Sequence, residues 1–178
     1  APRVLTPFPT RRSSDLSSGG DTFDRKAQSG NLSRESLRVG DVYRDGGGTN
    51  TLRIYQSLKP VIGAINGPAV GIGATMQLPM DFRMASTTAR FGFVFVRRGI
   101  TPEAASSWFL PRLVGMQTAV EWTMTGRIFG ADEALKHGLV RSVHEPEDLL
   151  PAAYELARET PAHTTPDPSA PPRTGLVF

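Results

Sequence analysis

The chain has no cysteine. This excludes a disulfide framework, a thiolate zinc cluster and a thiol nucleophile. Histidine is scarce, at three in 178 residues. His137 and His144 flank an expected strand with no acid or nucleophile at motif spacing, so capping or surface roles are expected of them. No apolar run approaches the roughly 20 residues of a membrane span. No charged-then-apolar leader stands at the front. The expectation is a soluble, cytoplasmic protein with no membrane partner. Basic charge is also scarcer than the pI near 9.7 suggests. Arg3, Arg11 and Arg12 against Asp15 give the first sixteen residues a net +2, and Asp167 cancels Arg173 after residue 159. With the whole chain at +3, residues 17–159 carry only +1. No basic stripe with interleaved aromatics is present, so no nucleic-acid partner is expected.

What the sequence does have is one glycine-rich stretch, Lys59 to Met84, on which the rest is organised. Pro60 holds Lys59 extended and ends the helical pattern before it. Val61, Ile62, Ala64 and Ile65 suit a buried strand. Asn66-Gly67-Pro68 turns the chain. Gly71-Ile72-Gly73 has almost no side-chain bulk, and Ala74 to Leu78 suits a short helix. A glycine loop at a helix start offers N–H groups to an anionic or polarised oxygen. The competing reading is a tight packing turn in an α/β domain. A dinucleotide fingerprint is excluded because Met76 stands where the third glycine belongs, and a phosphate loop because no Gly-Lys-Ser/Thr follows.

The flanks read as ordinary α/β text. Ser17 to Gly48 is a polar, glycine-rich excursion. Asn50 to Leu58 reads as an amphipathic helix capped by Thr49 or Asn50, with Leu52, Tyr55 and Leu58 inward. Phe82 to Ala85 and Ala89 to Val96 read as strands. Arg97 and Arg98 suit a solvated rim or a contact to phosphates. Thr101 is a good N-cap, Pro102 fits the first helical position and Glu103 falls in the first turn of a helix running to Leu113. From position alone, Glu103 complements a helix N-terminus. Gln117 to Thr125, Ala131 to Lys136 and Pro146 to Glu159 read as helices, with Gly126 and Gly138 as stops. Leu139 to Val143 reads as a strand.

Lys59-Pro60-Val61-Ile62, Ala64, Asn66-Gly67, Ala69-Val70-Gly71, Gly73 and Asp81 resemble the central motif of the crotonase (enoyl-CoA hydratase/isomerase) superfamily. Ala89-Arg90-Phe91-Gly92, Gly99 to Glu103, Leu110 to Gly115, Thr125-Gly126 and Gly138-Leu139-Val140 continue the resemblance in order, from about residue 17 to 159. It implies an α/β fold, a spiral of ββα turns that binds acyl-CoA thioesters and assembles as trimers. It implies no cofactor, since coenzyme A is part of the substrate, and no metal. Two backbone N–H groups are implied to hold the thioester oxygen as it becomes an enolate. One maps to Ile72, flanked by Gly71 and Gly73. The other maps near Ser14, where Asp15-Leu16 stands for the end of the family segment and Arg12-Ser13 replaces its Ala-Gly. The two hydratase glutamates map to Thr75 and Phe95, neither of which transfers protons. Thr101-Pro102-Glu103-Ala104 instead resembles the Ser-Pro-Glu-Gly type segment of the peroxisome-type enoyl-CoA isomerases. That implies Glu103 as the base of a double-bond shift, with Phe95, Trp108 and Phe109 walling the acyl pocket and raising its pKa. A helix N-terminus would act the opposite way.

The ends differ from the middle. Phe8 to Leu16 resembles the reading-frame translation of a short-read sequencing adapter, with a Pro/Arg/Ser-rich disordered arm as the alternative. After Thr160 the text is rich in proline without apolar periodicity, as in a disordered tail. The division expected is an arm over 1–16, a partial crotonase-like domain over 17–159, incomplete at both ends, and a tail over 160–178. A non-catalytic acyl-CoA-binding or scaffold homologue, or an inactive fragment, is the alternative to an enzyme.

Overall fold

A computed structural model describes residues 3–5, 38–39, 42–43, 46–57 and 59–159. The chain alternates between two sheets. Strands β1 (Arg3–Leu5), β4 (Val61–Ile65), β6 (Phe82–Ser86) and β9 (Ser142–His144) form a four-stranded parallel sheet in that order. Strands β5 (Pro68–Val70), β7 (Arg90–Gly92) and β8 (Ile128–Gly130) form a second sheet, parallel at β5–β7 and antiparallel at β7–β8. A short hairpin, β2 (Arg38–Val39) and β3 (Val42–Tyr43), stands apart from both. Two successive strand pairs, β4–β5 and β6–β7, each place one strand in each sheet before the chain turns helical. This is the ββα spiral that the resemblance implies. Residues 3–5 fall in the segment expected to be an unstructured arm, yet they form the edge strand β1, in register with Val61 to Gly63.

β4 is buried along its whole length, as expected of an interior strand of a parallel sheet covered on both faces. Its side chains divide by the period of two. Ile62 and Ala64 join Met84 under helix α6 (Leu149–Glu159), whose Leu149, Ala153 and Ala157 complete that layer. Ile65 belongs to the larger core, with Phe91, Phe93, Phe95, Leu110, Trp122 and Phe129. There Trp122, on helix α4 (Met116–Thr125), stacks on Phe129 of β8 with centroids 4.0 Å apart. Gly63 of β4 lets Met80 pack closely against the strand. A Cβ there would stand 2.8 Å from Met80 Sδ.

Arg83 points its guanidinium into the interior of β6. Its Nε donates to the Leu139 carbonyl at 2.7 Å, and its Nη1 to those of Met80 and Leu78 at 2.5 and 3.2 Å. Burial pulls its pKa down to about 10, and the Asp81 charge works the other way. One cation thus ties the loop after β4–β5 to the turn before β9, satisfying carbonyls that no strand reaches.

Three local expectations are corrected. Helix α1 spans Gly46–Tyr55, so Thr49 and Asn50 lie inside it and not at its cap. Its buried face is Gly47, Gly48 and Thr51, with Leu52 and Tyr55 only half-buried. The strand expected over 89–96 stops at Gly92, and Val94–Arg98 is a 3-10 helix ended by left-handed Gly99. The helix expected from Thr101 begins five residues later, as α3 (Ser106–Val114).

Candidate functional site

The glycine turn follows from the ββα connection. Gly71 N–H donates to the Gly92 carbonyl at 2.9 Å, extending the β5–β7 ladder by one bond. Gly71 then adopts φ 60°, ψ −125°, a conformation suited to glycine alone. This reverses the chain into the four-residue helix α2 (Ile72–Thr75). The Gly71 carbonyl accepts Ala74 and Thr75 N–H at 2.9 and 3.1 Å, and the Ile72 carbonyl accepts Met76 N–H at 2.9 Å. Ile72 N–H, at the first helical position, has no acceptor among the described residues. Among the described residues, nothing lies within 4 Å of where a Cβ would stand at Gly71 or Gly73. The turn therefore combines an uncommitted amide with open space beside it.

Two side chains hold this turn from behind. Thr75 is fully buried, with its Oγ 3.4 Å from both the Gly71 and Ile72 carbonyls. Gln77 is buried and its Nε2 donates to the Gly73 carbonyl at 2.6 Å, while its Oε1 has no partner among the described residues. Phe95 is a core residue in the 3-10 helix. The two positions mapped to hydratase glutamates thus carry a packed threonine and a packed phenylalanine, with no titratable group.

Glu103 lies in the irregular segment before α3. The two residues after it, Ala104 and Ala105, have φ 57° and 53°, so neither continues a right-handed helix. Thr101 is therefore not an N-cap and Glu103 is not in a first helical turn. Ala105 is the N-cap, without a side-chain bond. Glu103 is half-buried and has an interaction partner. Ser106 N–H and Oγ both donate to the Glu103 carbonyl, at 3.0 and 2.6 Å.

The expected walls divide. Phe95 is in the core, and Phe109 is half-buried with its ring edge-on to Tyr55 at 5.4 Å. Trp108 is 56% exposed, with the Arg112 guanidinium 3.3 Å over its ring. The expectation that Trp108 dries the surroundings of Glu103 is corrected, because a helical step of two residues turns it away from buried Leu110 and Ser106. Arg97 and Arg98 are exposed. Ser14 lies outside the described residues.

A polar cleft of about 480 Å³ is lined by Glu121, Arg127, Asp132, Glu133, Lys136 and His137. Arg127 bridges Glu121 at 2.7 Å and also pairs with Glu133 through both Nη atoms. The arginine bonds, foremost, hold the Glu133 carboxyl below its ordinary pKa, against a smaller opposing effect of burial. Trp122 Nε1 donates to the same carboxylate at 2.9 Å. His137 caps helix α5 (Ala131–Lys136) and its Nδ1 lies 3.2 Å from Thr118 Oγ. His144 Nε2 lies 2.8 Å from Ser142 Oγ. No three His, Asp or Glu residues among those described converge as metal ligands. Ser106 and Gln77 escaped the sequence reading. Neither belongs to a motif, and what marks them is a backbone geometry that no residue pattern displays.

Strand pairs divided between two sheets, each followed by a helical turn, define a spiral α/β protein with an open amide at its glycine turn. The chain belongs to the enoyl-CoA hydratase/isomerase family, whose description matches residues 16–166. It is 48% identical over 120 residues to enoyl-CoA hydratase AFT3-1 of Alternaria alternata, covering 67% of this chain and 40% of that protein. It is 42% identical over 107 residues to 4-chlorobenzoyl coenzyme A dehalogenase-1 of an Arthrobacter species, covering 60% of this chain and 39% of that protein. The solved enoyl-CoA hydratase/isomerase of Cupriavidus metallidurans CH34 superposes with a TM-score of 0.63 at 30% identity, covering 87% of this chain and 56% of that chain. The chain spans about 40% of the length of these curated relatives.

Proposed function

We propose that this chain is the thioester-handling part of an acyl-CoA enzyme, with Ile72 N–H as an oxyanion donor and Glu103 as the proton-transferring group. The single observation that carries the reading is the Ile72 amide, left without an acceptor among the described residues beside the space that Gly71 and Gly73 keep open there. An amide fixed in a rigid turn costs no reorganisation as charge develops on the thioester oxygen. Family membership supports the acyl-CoA class of substrate.

The reaction favoured is a double-bond shift. The Glu103 carboxylate takes a proton alpha to the thioester, the electron pair moves onto the carbonyl oxygen, and Ile72 N–H hydrogen-bonds the enolate. The double bond then re-forms between the alpha and beta carbons as the carboxylic acid returns the proton at gamma. One carboxylate suffices for this cycle, whereas hydration by the family's glutamate pair would need acids where Thr75 and Phe95 stand. The relatives above are named for hydration and dehalogenation, so the reaction type rests on these two residues and on Glu103. No described helix is long and apolar enough to cross a membrane.

The test is turnover of a 3-enoyl-CoA against a 2-enoyl-CoA, with Glu103→Gln as the control. Isomerisation without hydration, cut at least a hundredfold by Glu103→Gln, is the expected result. Hydration of the 2-enoyl-CoA that Glu103→Gln leaves intact would remove Glu103 from the mechanism. The absence of both acids at Thr75 and Phe95 also favours a second reading, acyl-CoA binding without turnover. Calorimetry that detects coenzyme A thioester binding while no enoyl-CoA is consumed selects it.

A further inference from the structure

The residues before α3 satisfy every local rule for a helix that they do not form. Thr101 is a preferred N-cap, Pro102 a preferred first residue, and Ala104 and Ala105 are the strongest of helix formers. Yet both alanines are left-handed, at φ 57° and 53°. One alanine in that region is strained, and two in succession persist only where the surroundings over-determine them. Those surroundings are visible. Ala104 is fully buried. The Ala105 carbonyl accepts Trp108 and Phe109 N–H at 3.0 and 3.2 Å. Ser106 is 1% exposed, and its hydroxyl and amide both close on the Glu103 carbonyl, at 2.6 and 3.0 Å. That double bond spans the two strained residues and fixes the peptide plane on the C-terminal side of Glu103. It therefore sets the direction in which the Glu103 side chain leaves the backbone.

A conflict between local preference and actual conformation marks a place where something other than folding sets the geometry. We propose that Ser106, with the left-handed Ala104–Ala105 pair, is a clamp that positions the Glu103 carboxylate, an inference that rests on Glu103 being the base. A helix begun at Thr101 would serve the fold and would turn Glu103 with its first turn. The clamp keeps Glu103 out of that turn. Ser106 is a positioning residue and touches no substrate in this role.

The experiment uses the full chain with Ser106→Ala, Ser106→Thr and Ala105→Gly, and Glu103→Gln as a separate arm. In the parent, three-bond NMR couplings are expected to show one χ1 rotamer for Glu103. In Ser106→Ala they are expected to average, with kcat down at least tenfold and KM within twofold. Ser106→Thr restores the hydroxyl and is expected to return both to within threefold of the parent. Ala105→Gly relieves the strain and keeps the hydroxyl, so it is expected to melt at a higher temperature and to turn over more slowly. A single rotamer surviving in Ser106→Ala overturns the clamp, as does averaging that Ser106→Thr does not reverse or a lower melting temperature for Ala105→Gly. If Glu103→Gln retains full turnover, or the parent consumes no enoyl-CoA, the catalytic reading fails by itself, and the couplings and melting temperatures alone decide the clamp.

Discussion

Two turns of the candidate site put positive φ at residues of different kinds. The Gly71 turn places φ 60° at a glycine, while the turn after Glu103 places φ 57° and 53° at two alanines. At Gly71 the conformation is intrinsic to the residue, since there is no Cβ to clash. At Ala104 and Ala105 it is imposed by burial and by the Ser106 bonds. The first turn is relaxed and presents a backbone group. The second is strained and aims a side chain. Presenting an amide needs bare space, which glycine supplies. Aiming a carboxylate needs a fixed peptide plane, which the Ser106 clamp supplies.

The sharpest way to break this contrast is to put a Cβ on the relaxed turn. Gly71→Ala is expected to cost about 1–3 kcal/mol by denaturant unfolding, and to lower acyl-CoA turnover further as the Ile72 amide shifts. A Gly71→Ala chain as stable as the parent would show that the turn is not glycine-dependent. The reverse change relaxes the strained turn. Ala104→Gly with Ala105→Gly together is expected to gain about 1–2 kcal/mol, the relief of two left-handed alanines less the added freedom of the unfolded chain. Gly73 separates space from strain, because its φ is not positive and an added Cβ meets nothing within 4 Å among the described residues. Gly73→Ala is therefore expected to gain about 0.5–1 kcal/mol, as alanine for glycine does inside a helix. Binding of a thioester, read by calorimetry, should weaken about tenfold, since the new methyl fills the space beside Ile72.

The smallest effect lies away from both turns and serves as their control. Arg127 holds the Glu133 carboxyl below its ordinary pKa. A depressed carboxylate contributes stability that is full above the unfolded pKa and is lost as pH falls through the lower folded one. Thermal melts should therefore fall in temperature below about pH 4.5, the ordinary carboxyl value. Glu133→Gln should flatten that acid limb and leave turnover unchanged. The pair is a third or more exposed on the arginine side, so solvent screening keeps the effect modest.

Much of the architecture was legible in the residues. The β-branched run at Val61 to Ile65 is strand β4, and Gly126, at φ 57°, ends α4 by accepting a left-handed conformation. Such features are local, because period, branching and stop residues act within a few positions. Of the candidate site, the glycine turn carried its own signal in Gly71-Ile72-Gly73, and Glu103 was singled out by the family resemblance. The start of α3 was not legible, because Thr101 to Ala105 is written as a helix N-terminus and the Ser106 bonds and the burial of Ala104 override it. Trp108 was misread for a related reason. With the helix begun at Ser106, it faces solvent under Arg112.

By itself, the residue text determined the strand at Val61 to Ile65, the relaxed glycine turn and the absence of thiol chemistry, since each follows from side-chain size, branching or a missing atom type, while the spiral of strand pairs came only with the family resemblance. Tertiary structure alone decided where Arg83 finds its three carbonyls, which face of α1 is buried, and that two alanines abandon the helix they prefer. Those outcomes depend on partners distant along the chain, such as Leu139 for Arg83, or on burial, and packing of that kind outweighs a preference worth about 1 kcal/mol per residue.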